Sequence, residues 1–131
     1  MKTIYNIGDK KFLTFTVKEN DTATFETGNV HPVYATFALG RDAEWTCRQF
    51  VLDMKENDEE GIGTFITVHH HSPAMVGEKV TIYSTVKSII KNEIICTYEA
   101  KCGERIIATG ETGQKILKKE KIEKIFSTIN Q

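Results

Sequence analysis

The chain has 131 residues with 40% hydrophobic and 27% charged side chains, which suits one globular domain over residues 1–131 and excludes disordered and collagen-like classes. Seventeen basic residues against 18 acidic ones leave a net charge of -1, so no global field exists to hold nucleic acid or an anionic membrane. No apolar run is long enough to span a bilayer.

In chain order, Lys11 to Val17 alternates, with Leu13, Phe15 and Val17 on one face and Phe12, Thr14 and Thr16 on the other, and reads as a strand. Glu19 to His31 is polar, contains Gly28, and reads as a loop. Leu39, Ala43, Cys47, Phe50, Val51 and Met54 then form one stripe of an amphipathic helix about 17 residues long. Thr36 stands where an N-cap is expected, and the acidic stretch Glu56 to Glu60 with Gly61 ends the helix. From Gly61 to Leu117 the period is mostly two. Ile62, Thr64, Ile66 and Val68 alternate with Gly63, Phe65 and Thr67; strands over Val80 to Lys87, Glu93 to Lys101 and Arg105 to Leu117 follow. Asn92 and Cys102-Gly103-Glu104 mark hairpin turns. In the tail, Ile122, Ile125, Phe126 and Ile129 recur at helical spacing.

A strand, a long helix and four antiparallel strands require a sheet that curves around the helix. The pattern suits an α+β hotdog fold, one long helix wrapped by a curved antiparallel sheet of about five strands. An α+β roll is the competing arrangement. One helix leaves sheet edges and apolar surface uncovered, so a homodimer or a higher oligomer is expected. Met1 to Lys11 lacks the apolar core of a signal peptide, and the odd count of cysteines (Cys47, Cys96, Cys102) contains no CxxC pair; both point to a reduced, cytoplasmic setting.

The common nucleophile-elbow, phosphate-loop, dinucleotide and zinc-protease motifs are absent, so any chemistry comes from scattered residues. Thr36, Gly40 and Glu44 are spaced by four and lie in one line beside the apolar stripe. Glu44 is either an ordinary exposed helix glutamate or a poised base or nucleophile. His70 shares the face of Ile62, Ile66 and Val68, where it is either a satisfied buried histidine or a proton carrier; His69 and His71 share the opposite face. His69 and His71 at i, i+2 can chelate a metal, but no Cys or acidic partner has matching spacing, so no metal is expected. Thr36 is either a cap or a hydroxyl beside helix N–H groups that can hold a carbonyl oxygen. Asp42 points elsewhere around the helix and reads as a solvated first-turn acid. The tail lysines Lys115, Lys118, Lys119, Lys121 and Lys124 read as a solvated face, or as contacts for a phosphate-bearing ligand.

Val33-Tyr34-Ala35-Thr36 followed by Ala43-Glu44-Trp45-Thr46-Cys47 resembles the helix start of the fluoroacetyl-CoA thioesterase family. Gly61-Ile62-Gly63-Thr64 leading to Val68-His69-His70, then Val76-Gly77 and Thr109-Gly110, resemble the family's later blocks. The resemblance implies a dimeric hotdog enzyme that hydrolyses acyl-CoA thioesters without a cofactor. Thr36, Glu44 and His70 then correspond to the catalytic residues and Gly63 to a glycine of the pocket; Gly40, in line with Thr36 and Glu44, is also expected at the substrate. Two departures stand out. The family's Gly-Thr-His-Glu-Arg run is here Gly110-Glu111-Thr112-Gly113-Gln114, and Asp21 to His31 is too short and polar for an apolar lid. The expected activity is hydrolysis of an acyl-CoA thioester of broad short or medium chain length, on a site where Glu44 of one chain approaches His70 of the other. A non-catalytic acyl-CoA-binding module and an acyl-CoA hydratase are the alternatives.

Overall fold

A computed structural model describes residues 1–25 and 28–130. Its elements are β1 (Lys10–Thr16), a 3-10 turn (Glu19–Asp21), β2 (Thr22–Phe25), β3 (Gly28–Tyr34), α1 (Thr36–Met54), β4 (Glu59–Ile66), β5 (His69–His70), β6 (Lys79–Ile90), β7 (Glu93–Cys102), β8 (Arg105–Lys118) and α2 (Lys119–Ile129). The main sheet runs β1-β6-β7-β8-β4, with β5 also on β8, and every pairing is antiparallel. The sheet curls around α1, which touches β1, β4, β6, β7 and β8. This is the hotdog arrangement.

The alternation in the sequence sets the layers. Along β6, Val80, Ile82, Ser84 and Val86 are buried while the residues between them reach outward. All six residues of the α1 stripe, from Leu39 to Met54, lie in the core with Ile94, Cys96, Ile107 and Ile116 from the sheet. A second helical row, Ala38, Asp42 and Thr46, is buried too. A flat sheet covers one stripe of a helix; this curled one covers a wider arc. Asp42 is therefore 5% exposed, contrary to the expectation of a solvated acid.

The polar segment after β1 is not a loop. It forms the hairpin β2–β3, whose two register shifts and short polar strands hide any clean period. The tip residues Glu26 and Thr27 fall outside the described residues. A group of buried Tyr34, Asp21 and Asp42 with the exposed Arg41 fixes the base of the hairpin. Tyr34 donates its hydroxyl to Asp42, while Arg41 donates to Asp42 (Nε–Oδ1 3.0 Å) and to Asp21 (Nη2–Oδ1 2.9 Å). Burial, then the Asp42 hydrogen bond, push the Tyr34 hydroxyl well above its ordinary range, so it stays protonated and donating.

Both hairpin turns predicted later in the chain form. Lys91 (φ 55°) takes the left-handed position beside Asn92, whose Nδ2 donates to the Ile116 carbonyl at 3.0 Å. The tail is helical as its spacing predicts, but Ile125, Phe126 and Ile129 stay exposed, so α2 projects from the end of β8 without joining the core.

Candidate active site

The start of α1 and the β4–β5 segment build the site. The helix N-cap is Ala35 and carries no side-chain cap bond, so Thr36 is the first helical residue and not the cap expected from the sequence. Its hydroxyl is committed elsewhere: Thr36 Oγ1 lies 2.8 Å from His70 Nε2. The first turn of α1 keeps backbone N–H groups without helical partners beside this pair.

His70 arrives there through a broken strand. β4 carries a bulge between Gly63 and Phe65 and ends at Ile66. The Thr67 N–H then bonds the Glu111 carbonyl at 2.9 Å, and β5 resumes pairing with Thr109 and Ala108. From Ile66 onward the alternation holds: Ile66, Val68 and His70 all turn toward the helix start, while His69 and Thr67 line a groove on the outer face; Ile62 does not share their face, because the bulge reverses the phase after Gly63. His71 Nε2 sits 2.8 Å from Thr109 Oγ1. His70 is exposed and not a buried histidine, because β4 and β5 lie at the sheet edge and the cleft beside it under the hairpin is open.

Two adjoining clefts meet at Thr36. One, of about 480 Å³, is lined by Thr36, Phe37, Gly40, Glu44, Ile66 and Val68 among others. The other, of about 360 Å³, runs under the hairpin between Ala23, His31, Val33, Thr36 and His70. Thr36 is common to both, so Glu44 lies on one side of it and His70 on the other. Within one chain Thr36 thus links the cleft that holds Glu44 to the one that holds His70.

Glu44 is exposed, yet its carboxylate has a defined seat. A Cβ built on Gly63 would stand 2.9 Å from Glu44 Oε1, closer than such contacts tolerate, so only glycine leaves the carboxylate there. Gly40 is different. Its Cβ would meet Ile66 and Val68 at the ordinary distances of 3.7 and 3.8 Å, so Gly40 widens the cleft without being sterically required.

Cys47 and Cys96 are buried, and Ser84 Oγ donates to Cys47 Sγ at 3.3 Å. The neighbouring Cys47 and burial push the Cys96 thiol up, as fits packing residues. Sequence reasoning missed Tyr34, Arg41 and Asp21 as the frame behind the site. Nothing in their spacing reveals it, since Asp21 and Asp42 meet only when the hairpin folds back. It also missed the hairpin residues Ala23, His31 and Val33 as cleft walls.

With the geometry in view, comparison with known proteins is direct. The sequence matches the family of the fluoroacetyl-CoA-specific thioesterase FlK over residues 17–120. A Thermus thermophilus hypothetical protein of the thioesterase superfamily is 31% identical, with 95% of this chain and 93% of that chain aligned and a TM-score of 0.91. FlK itself is 22% identical over 95% of this chain and 96% of its own, with a TM-score of 0.86. A hot-dog-like protein from Thermanaerovibrio acidaminovorans is 18% identical over 95% of this chain and 92% of its own, with a TM-score of 0.86. The search of curated proteins returned no match. The fold defines a hotdog protein. The chain belongs to the fluoroacetyl-CoA-specific thioesterase family.

Proposed function

We propose that this protein hydrolyses acyl-CoA thioesters to the free acid and CoA. The observation that carries this reading is the Thr36–His70 hydrogen bond of 2.8 Å, with Glu44 in the adjoining cleft that Thr36 also lines, in a chain of this family. The fold relative FlK has been crystallised as a variant with fluoroacetate and CoA.

In this reading the thioester carbonyl lies at the start of α1, where free backbone N–H groups stabilise the charge that develops on its oxygen. Glu44, seated on Gly63, either attacks the carbonyl carbon, giving an acyl-glutamyl anhydride that water then cleaves to the free acid, or removes a proton from a water that attacks directly. His70 carries a proton to the departing thiolate. Thr36, hydrogen-bonded to His70, orients the imidazole and the bound carbonyl. Gly63 and Gly40 leave room for the reacting end of the substrate. No metal or cofactor takes part in these steps. The working unit is a homodimer, because the outer edge of β4 is unpaired within the chain and Phe37, Trp45, Phe65 and Ile66 around it are exposed. The cellular setting is the cytoplasm; among the described residues no helix is long and apolar enough to cross a membrane.

A panel of acyl-CoA thioesters assayed by release of free thiol tests the reading. Turnover of a subset, lost in Glu44→Gln, is the expected result. Binding of acyl-CoA without release of thiol would leave a non-catalytic module.

A further inference from the structure

The cleft under the hairpin, of about 360 Å³, holds more imidazole than the reaction uses. His31, His70 and His71 all line it, and among the described residues no Asp, Glu, Lys or Arg does. Its other polar side chains are paired. Thr36 and His70 bond each other, and His71 Nε2 lies 2.8 Å from Thr109 Oγ1. The Ser72 hydroxyl donates to the Ile106 carbonyl at 2.7 Å, and Tyr34 donates to Asp42. The His31 side chain has no hydrogen bond or ion pair among the described residues.

The hairpin fixes where this free imidazole stands. In the β2–β3 register His31 lies opposite Ala23, and Val33, two residues on, shares its face, so the three form one wall of the cleft. Pro32 keeps His31 extended, because the proline ring bars the preceding residue from the helical region. Ala23 is small, and the ring of His31 is exposed and open to the cleft. From His31 to Tyr34 the strand advances about 10 Å before α1 begins. An acyl chain that enters under the hairpin from a carbonyl at Thr36 therefore runs past Val33 toward His31.

We infer that His31 is a specificity-determining residue that receives a carboxylate at the far end of the acyl chain, so that short dicarboxylic acyl-CoA thioesters are preferred over plain acyl-CoA thioesters of equal length. This rests on the thioesterase reading above and names its substrate class. Imidazole keeps an N–H donor in either charge state and offers two when protonated. A hydrogen bond to an ionised acceptor is about twice as strong as one to a neutral acceptor, which favours a carboxylate over a hydroxyl or ketone. Such a carboxylate meets no acidic wall, and Asp42, beyond Tyr34, is already held by Tyr34 and Arg41. A plain chain of the same length covers the imidazole and leaves its N–H without water or partner.

The test measures kcat/KM by thiol release for two pairs matched in length, glutaryl-CoA with hexanoyl-CoA and adipyl-CoA with heptanoyl-CoA. The ratio within a pair, taken in one preparation, does not depend on the fraction of folded protein. In the wild type at least one ratio is expected to be ~10 or more, the worth of one hydrogen bond to a charged group. In His31→Phe and His31→Leu, which keep apolar bulk and remove the ring nitrogens, that ratio falls toward one or below. Ratios of one or less for both pairs in the wild type, or a ratio that survives in the variants, overturn the assignment and leave the thioesterase reading intact. Absence of turnover with every acyl-CoA tested overturns the thioesterase reading, and this assignment with it.

Discussion

Glu44 Oε1 occupies the space directly above Gly63, where a Cβ would come within 2.9 Å of it. The obstacle to a side chain at this position is the free end of a long glutamate and not backbone. Gly63→Ala is therefore expected to fold normally and to displace the carboxylate. Displacement of about 1 Å at a reacting group costs on the order of 10²-fold in rate. The pair of measurements is kcat/KM by thiol release and the unfolding midpoint. Full activity in a stable Gly63→Ala protein would show that Glu44 does not work from this seat.

Glu44→Gln keeps size and removes the charge. The rate is expected to fall by ~10²-fold or more, with folding unchanged because the side chain is exposed. His70→Ala and Thr36→Ala should each lower the rate, and the double variant should cost less than the product of the two, since the pair shares one hydrogen bond. A strictly multiplicative double variant would show that the two residues act independently.

Asp42 is buried against Tyr34 and Asp21, with the exposed Arg41 bridging the two carboxylates. Tyr34→Phe removes one buried donor and leaves an Asp42 oxygen short of a partner, at a cost of ~1–3 kcal/mol. Asp42→Asn should cost at least as much, because Arg41 loses its charged acceptor. Urea unfolding measures both. Stabilities equal to the wild type would show that water replaces these bonds.

That last prediction reverses what the sequence suggests for Asp42, and the reason is physical. The stripe from Leu39 to Met54 is legible because six apolar residues repeat at helical spacing, and so are the strands and both late turns. The second buried row escapes notice because its members are Ala, Asp and Thr, which look the same on a covered face as on a wet one. The Thr36, Glu44 and His70 set came from resemblance; spacing alone leaves each with an ordinary structural explanation. What pattern did establish is the phase that turns His70 the same way as Ile66 and Val68; the bulge in β4 lies before them and leaves Ile62 on the opposite face. The hairpin was read as loop because two register shifts scramble its period over so few residues.

Thr36 bonds His70 and shares a cleft with Glu44 of the same chain, which favours a site built from one chain. Mixing Glu44→Gln chains with His70→Ala chains should accordingly restore no activity, since no chain in the mixed dimer holds the full set. The assay mixes inactive variants under conditions of subunit exchange and follows thiol release. Recovery toward half of the activity per dimer would mean that the site is divided between chains.

The hairpin covers only part of the cleft. Phe25 and Val30 are 69% and 49% exposed, and Ala23, His31 and Val33 are its contributions to the lining. Strong selection of a small acyl group needs a site that closes around it. The ratio of kcat/KM for fluoroacetyl-CoA over acetyl-CoA is expected to stay below ~10³. A larger ratio would reveal that the hairpin closes over the acyl group in the working enzyme.

The four-residue clamp at the foot of the hairpin has a consequence for how such enzymes change. Asp21 and Tyr34 are anchored to α1 from both ends of the segment, next to Thr36. The helix start is therefore tied down by one set of hairpin residues while another set, Ala23, His31 and Val33, faces the substrate cleft, so a substitution among the latter can alter what is bound and leave the anchorage of the reaction centre in place.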